Sequence, residues 1–132
     1  MYTASTALLE SLVTAGVSYI FANFGSDHPA LIEAIAEARA HGATIPAVIT
    51  CPNEMVALSC AHGHAQVSGR AQAVLVHVEC GTQSLAGAVH NAARGRVPVF
   101  IESSSLSGAT AATLDVLVDR GKRSGGAKCF SI

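Results

Sequence analysis

The stretch Ala47-Val48-Ile49-Thr50-Cys51-Pro52-Asn53-Glu54-Met55-Val56-Ala57-Leu58 decides how the chain is read. Its first five residues are an apolar run of strand length. Asn53 then suits a helix cap, and an alanine-rich helical pattern continues to Gly69. Glu54 therefore stands at a strand-to-helix junction among small and apolar neighbours. Two readings of it are open. Partial desolvation would raise its carboxyl pKa and suit it to proton transfer near neutral pH. A first-turn acid is equally what a helix dipole favours, with no chemistry attached.

Outward from this junction the alternation repeats. Thr3 or Ser5 suits the cap of a first helix carrying Leu8, Leu9, Leu12 and Val13, and Gly16 ends it. Val17 to Ala22 reads as a buried strand. After the polar loop from Asn23 to His28, Pro29 opens a second helix with Leu31, Ile32 and Ile35 inward, stopped by Gly42. A third strand is expected from Ala73 to Val78, a turn over Glu79 to Thr82, a helix from Gln83 to Ala93, and a fourth strand from Val97 to Ile101. Strands joined through helices need crossover connections, so the fold class is α/β: an open parallel sheet with helices on both faces. Ligands in such sheets bind beyond the carboxyl ends of strands. Three loops gather there: 23–28, 51–54 and 79–83.

Composition narrows the function. The 132 residues suit one domain, with 50% hydrophobic and 13% charged side chains and a net charge of −1. That balance gives no support to nucleic-acid binding. No apolar run reaches the ~18 residues of a membrane span, and the start lacks the basic and apolar regions of a secretion signal. Cys51, Cys60, Cys80 and Cys129 form no Cys-x-x-Cys pair, so reduced thiols in a cytoplasmic chain are expected, three of them buried. Low charge and abundant alanine point to a partner subunit. His62 and His64 lie two apart on a helix and diverge, so no metal pair is expected there. His77, within an apolar run, reads as a core or edge residue.

The ordered motifs Phe-Gly-Ser-Asp-His-Pro (24–29), Asn-Glu-Met-Val-Ala-Leu (53–58), Ala-His-Gly-His-Ala-Gln-Val-Ser-Gly (61–69), Gly-Thr-Gln (81–83) and Ala-Arg-Gly-Arg-Val-Pro-Val (93–99) carry a family resemblance. Over residues 2–102 the chain resembles the N-terminal pyrimidine-binding domain of thiamine-diphosphate enzymes, in the group of acetolactate synthase and benzoylformate decarboxylase. The resemblance implies a flavodoxin-like cofactor-binding fold, incomplete at its C-terminus. It implies that Glu54 is the catalytic acid, hydrogen-bonded to N1′ of the cofactor's aminopyrimidine so that its 4′-nitrogen takes the thiazolium C2 proton, for reaction with a 2-oxo acid. Gly81 and Thr82 would let backbone approach the pyrimidine. Gly25, Ser26 and His28 would lie on the substrate side, although Ser26-Asp27-His28-Pro29 is also an ordinary turn and helix cap, with Asp27 the favoured cap. For Met55, Val56 and Leu58 core packing is the expected role.

Family enzymes bind the diphosphate and its magnesium through a separate domain bearing Gly-Asp-Gly, a motif not found in these residues. The chain is thus expected to bind only the pyrimidine half of thiamine diphosphate, to hold no metal, and not to turn over a 2-oxo acid alone. The alternative is a non-catalytic interaction module pairing with full-length relatives, or a homo-oligomer. Residues 103–132 depart from the family pattern, as a truncated or alternatively spliced product would. A short helix through Leu114, Leu117 and Val118 and a disordered basic stretch, Arg120 to Lys128, are expected there. Cys129-Phe130-Ser131-Ile132 only outlines a lipidation box, because serine replaces its aliphatic third position.

Overall fold

The computed structural model describes residues 2–103. The expected tail helix, the basic stretch and Cys129 lie outside them. Among the described residues four strands and five helices follow in order: α1 (Ala4–Thr14), β1 (Tyr19–Ala22), α2 (Pro29–Ala40), β2 (Ala47–Thr50), α3 (Glu54–Ser68), β3 (Gln72–Val76), α4 (Val78–Ser84), α5 (Ala86–Gly95) and β4 (Val99–Ser103). The strands form one parallel sheet in the order β2-β1-β3-β4. Chain direction across the sheet reverses at β1, whose neighbours are β2 and β3. The crevice at such a reversal is where α/β sheets place ligands.

Local chemistry sets the helix limits. Thr3 Oγ1 accepts the Thr6 N–H and starts α1, and Pro29 occupies the first turn of α2. Asn53 Oδ1 accepts the Val56 N–H at 2.9 Å and starts α3 directly at Glu54. Gly69, at φ 67°, ends α3 in the left-handed region that a side chain would strain. The buried face of α3 is Glu54, Ala57, Leu58, Ala61 and Ala65, a helical stripe whose alanines let the backbone approach the sheet closely.

Alternate strand residues feed two cores. Phe21, Val74, Val76 and Ile101 pack with Leu58 of α3 and Leu85 on one face. Ile20, Ala22, Ala73 and Leu75 pack with Leu9, Leu12, Leu31 and Ile35 of α1 and α2 on the other. Between them Gln72 is fully buried. Its Oε1 accepts the Tyr19 N–H at 3.0 Å and its amide donates to the Arg70 carbonyl at 3.1 Å, joining the starts of β1 and β3.

Four expectations are corrected. Ile32 of α2, expected inward, is 44% exposed, because the buried stripe runs through Leu31, Ala34 and Ile35. Residues 78–84 are helix α4, not strand end and turn, so β3 stops at Val76. Val78 opens that helix at φ 34°, a strained value for a β-branched residue. Met55 and Val56 are exposed, because they fall off the stripe that α3 buries, whereas Leu58 lies on it and is fully buried. Of the thiols, Cys51 is buried whereas Cys60 and Cys80 are exposed; all three are free.

Candidate functional site

The ends of β1, β2 and β3 deliver three segments to one place. Asn23 follows β1, Glu54 begins α3 after β2, and Gly81 and Ser84 lie on α4 after β3. Glu54 is 9% exposed. Asn23 Nδ2 donates to its Oε1 and Ser84 Oγ to its Oε2, both at 2.9 Å. Ser84 also lies 3.0 Å from the Gly81 carbonyl, so its single proton is shared. A methyl group at Gly81 would come within 3.0 Å of Glu54 Oε1 and 3.3 Å of Val76 Cβ. Only glycine lets the α4 backbone lie this near the carboxylate.

The electrostatics of Glu54 correct the expected direction. Desolvation by burial pushes its carboxyl pKa up, but its own backbone N–H, Ser84, Asn23 and the nearby His77 together outweigh burial and hold it below the ordinary value. The carboxylate is therefore an anion held by donors. Each of its oxygens accepts one side-chain hydrogen bond and one also takes the backbone N–H, which leaves a lone pair on the carboxylate for another donor.

The other expected site residues divide. Gly25 is packed against His77, and an ideal Cβ there would overlap the imidazole. Ser26 is exposed. His28, expected on the substrate side, is 3% exposed. Asp27 does not cap α2, whose cap is His28 with no side-chain bond. Asp27 instead lies 2.6 Å from His77 Nδ1 and accepts the Val78 N–H at 3.4 Å, at the start of α4. Thr82 turns to β4, donating to the Val78 carbonyl at 2.9 Å and pairing with Ser103 Oγ at 2.6 Å.

The structure thus joins Glu54 with Gly81 and leaves Ser26 and Thr82 outside that contact. Sequence reasoning missed Asn23, Ser84 and the pairing of Asp27 with His77. Asn23 was visible as the first polar residue after β1. Ser84 was hidden by reading residues 79–82 as a turn, because a helix is what brings it back over Gly81. Beside the site, Asn53, Met55, Val56, Ser59 and Cys60 line an open depression of about 390 Å³.

Comparison with known proteins bears on the fold and the family. The chain is 36% identical over 96 residues to a candidate acetolactate synthase large subunit, IlvX, of Mycobacterium tuberculosis, covering 72% of this chain and 18% of that protein. The fold matches a thiamine diphosphate-dependent 4-hydroxybenzoylformate decarboxylase of Rhodococcus jostii RHA1, with a TM-score of 0.67 at 24% identity over 77% of this chain and 18% of that one. It also matches the benzoylformate decarboxylase of Polynucleobacter necessarius, with a TM-score of 0.64 at 16% identity and the same coverage. The chain spans about a fifth of the length of these proteins. Residues 2–112 match the family model of the thiamine pyrophosphate enzyme N-terminal TPP-binding domain. With its parallel sheet and its buried glutamate at the strand ends, the chain belongs to that family.

Proposed function

We propose that this chain supplies the pyrimidine-binding half of a thiamine diphosphate site in an enzyme acting on 2-oxo acids. The observation that carries the reading is the buried Glu54 carboxylate, held by Asn23 and Ser84 against the backbone of Gly81. The fit is chemical. An anion with free lone pairs in a low-dielectric corner accepts a hydrogen bond from a protonated ring nitrogen and stabilises its positive charge. Bound thiamine diphosphate would supply the electron sink that 2-oxo acid decarboxylation or acyl transfer requires.

The chain's own residues do the rest. Glu54 holds a proton at the pyrimidine N1′ position, Asn23 and Ser84 fix the direction of its lone pairs, and Gly81 keeps the approach clear. The exposed Met55 and Val56 extend an apolar rim beside Glu54. Covering that rim with a further domain or subunit would exclude water and push the Glu54 pKa upward, toward the range proton transfer needs. The same need for a cover supports the chain being inactive alone.

The test is an amide NMR titration with thiamine diphosphate. Shifts should centre on Glu54, Gly81 and Ser84. Glu54→Gln, which keeps the shape and loses the charge, should weaken binding about tenfold, roughly 1.4 kcal/mol. Shifts confined to another face, or equal affinity for the Gln variant, would sink the reading.

A further inference from the structure

The residues between β1, β3 and β4 form a second polar cluster that the cofactor reading does not use. Asp27 and His28 lie in the loop entering α2, His77 follows β3, and Glu102 lies on β4. Asp27 Oδ1 is 2.8 Å from His28 Nδ1 and 2.6 Å from His77 Nδ1. One ligand atom from each of the three residues falls within 4.8 Å of the others. The Asp27 and His28 side chains are 6% and 3% exposed, whereas His77 is 27% exposed. The cluster is walled on the inside and open on one side.

Its protons do not resolve with Asp27 ionised and His28 neutral. The Gly25 N–H donates to His28 Nδ1 at 3.1 Å, which requires a bare nitrogen there. A bare Nδ1 then sets its lone pair against the Asp27 carboxylate at 2.8 Å. Placing a proton on Nδ1 satisfies Asp27 and turns two N–H groups toward each other. On the opposite edge of the ring, His28 Nε2 and Glu102 Oε2 are both buried without a hydrogen-bond partner, 3.9 Å apart.

We propose that Asp27, His28 and His77 form a binding site for a divalent transition-metal cation, with zinc the representative case. A cation accepts lone pairs from all three groups at once. Ligation through His28 Nδ1 fixes the proton on Nε2, facing the Glu102 carboxylate. Metal-bound histidines usually donate their second ring N–H to such a group, and here the 3.9 Å gap to Glu102 Oε2 must close by roughly an ångström for that bond to form. Two imidazoles and one carboxylate suit zinc and its neighbours rather than calcium or magnesium, which take oxygen ligands. The open side at His77 leaves room for water as a further ligand.

Zinc–ligand distances of ~2.0–2.2 Å require the contacts at Asp27 to widen by roughly half an ångström. The Gly25 N–H must also give up its nitrogen acceptor. The site is built from chain segments about 50 residues apart, so ligand spacing in the sequence does not reveal it.

The experiment titrates the metal-stripped chain with Zn²⁺ and with Co²⁺. One equivalent should bind, with the visible bands of a low-coordinate Co²⁺ site, and Zn²⁺ should shift the ring signals of His28 and His77 and the Gly25 amide. Asp27→Asn and His77→Gln should each weaken binding at least tenfold, Glu102→Gln ten- to a hundredfold, and His90→Gln not at all. No stoichiometric binding, or shifts centred on the other histidines and the thiols, would overturn the site. Since the NMR readout uses the unmodified chain, the test remains decisive even where a variant fails to fold.

Discussion

Two carboxylates at the same end of the sheet are pushed in opposite directions, and pH separates them. Glu54 is held below its ordinary pKa, so the unfolded chain binds more protons than the folded one in the window between the two values. Its contribution is complete above the unfolded value of about 4.3 and is lost as pH falls through the folded value. Glu54→Gln should leave stability at pH 7 within about 1 kcal/mol, since the amide still accepts from Asn23, and should flatten this acid limb. Glu102 runs the other way. Burial, then the charge of Asp27, pushes its pKa up, so stability present below about 4.3 is lost as pH rises through the folded value. In the metal-free chain Glu102→Gln should raise the neutral-pH Tm by a few degrees and have no effect in acid, as thermal melts across pH would show. Gly25→Ala should cost about 1–3 kcal/mol and release His77 from Asp27, read by the imidazole NMR signals.

At the scale of elements, α3 is both scaffold and aiming device. Asn53→Ala should cost about 1 kcal/mol in denaturant unfolding and loosen Glu54, the first residue that this cap orients. Most of this scale was legible in the sequence. The four strands, the stop at Gly69 and the placement of Glu54 follow from apolar runs and cap residues. What escaped was α4, because Gly81 and Thr82 carry the composition of a turn. Tertiary contacts override that preference: Thr82 is tied to Ser103, Ser84 reaches Glu54, and Asp27 accepts the first N–H of the helix. The depression of the Glu54 pKa was equally illegible. Burial follows from the apolar pattern, but of the groups that together outweigh it, the backbone N–H of Glu54 is local while the two side-chain donors come from segments 31 and 30 residues away.

For the whole molecule, one sheet serves two cores, so neither face is expected to melt alone. Leu75→Ala removes a fully buried side chain on the α1–α2 side and should cost about 2–5 kcal/mol. The transition should remain single when followed by far-UV dichroism and by the NMR signals of α3, which lies on the opposite face. Separate melting of the two faces would contradict a shared sheet.

Gln72 gives the longest lever in the fold. Its amide pins the first rung of the β1–β3 ladder, where Ile20 meets Ala73 and, three rungs on, Asn23 donates to the Leu75 carbonyl. Sliding β1 by one residue would exchange the side chains of the two cores and carry Asn23 away from Glu54. Gln72 thus works as an alignment mark at the amino end of the strands: the aim of a carboxylate at one end of the sheet is calibrated by an amide at the other.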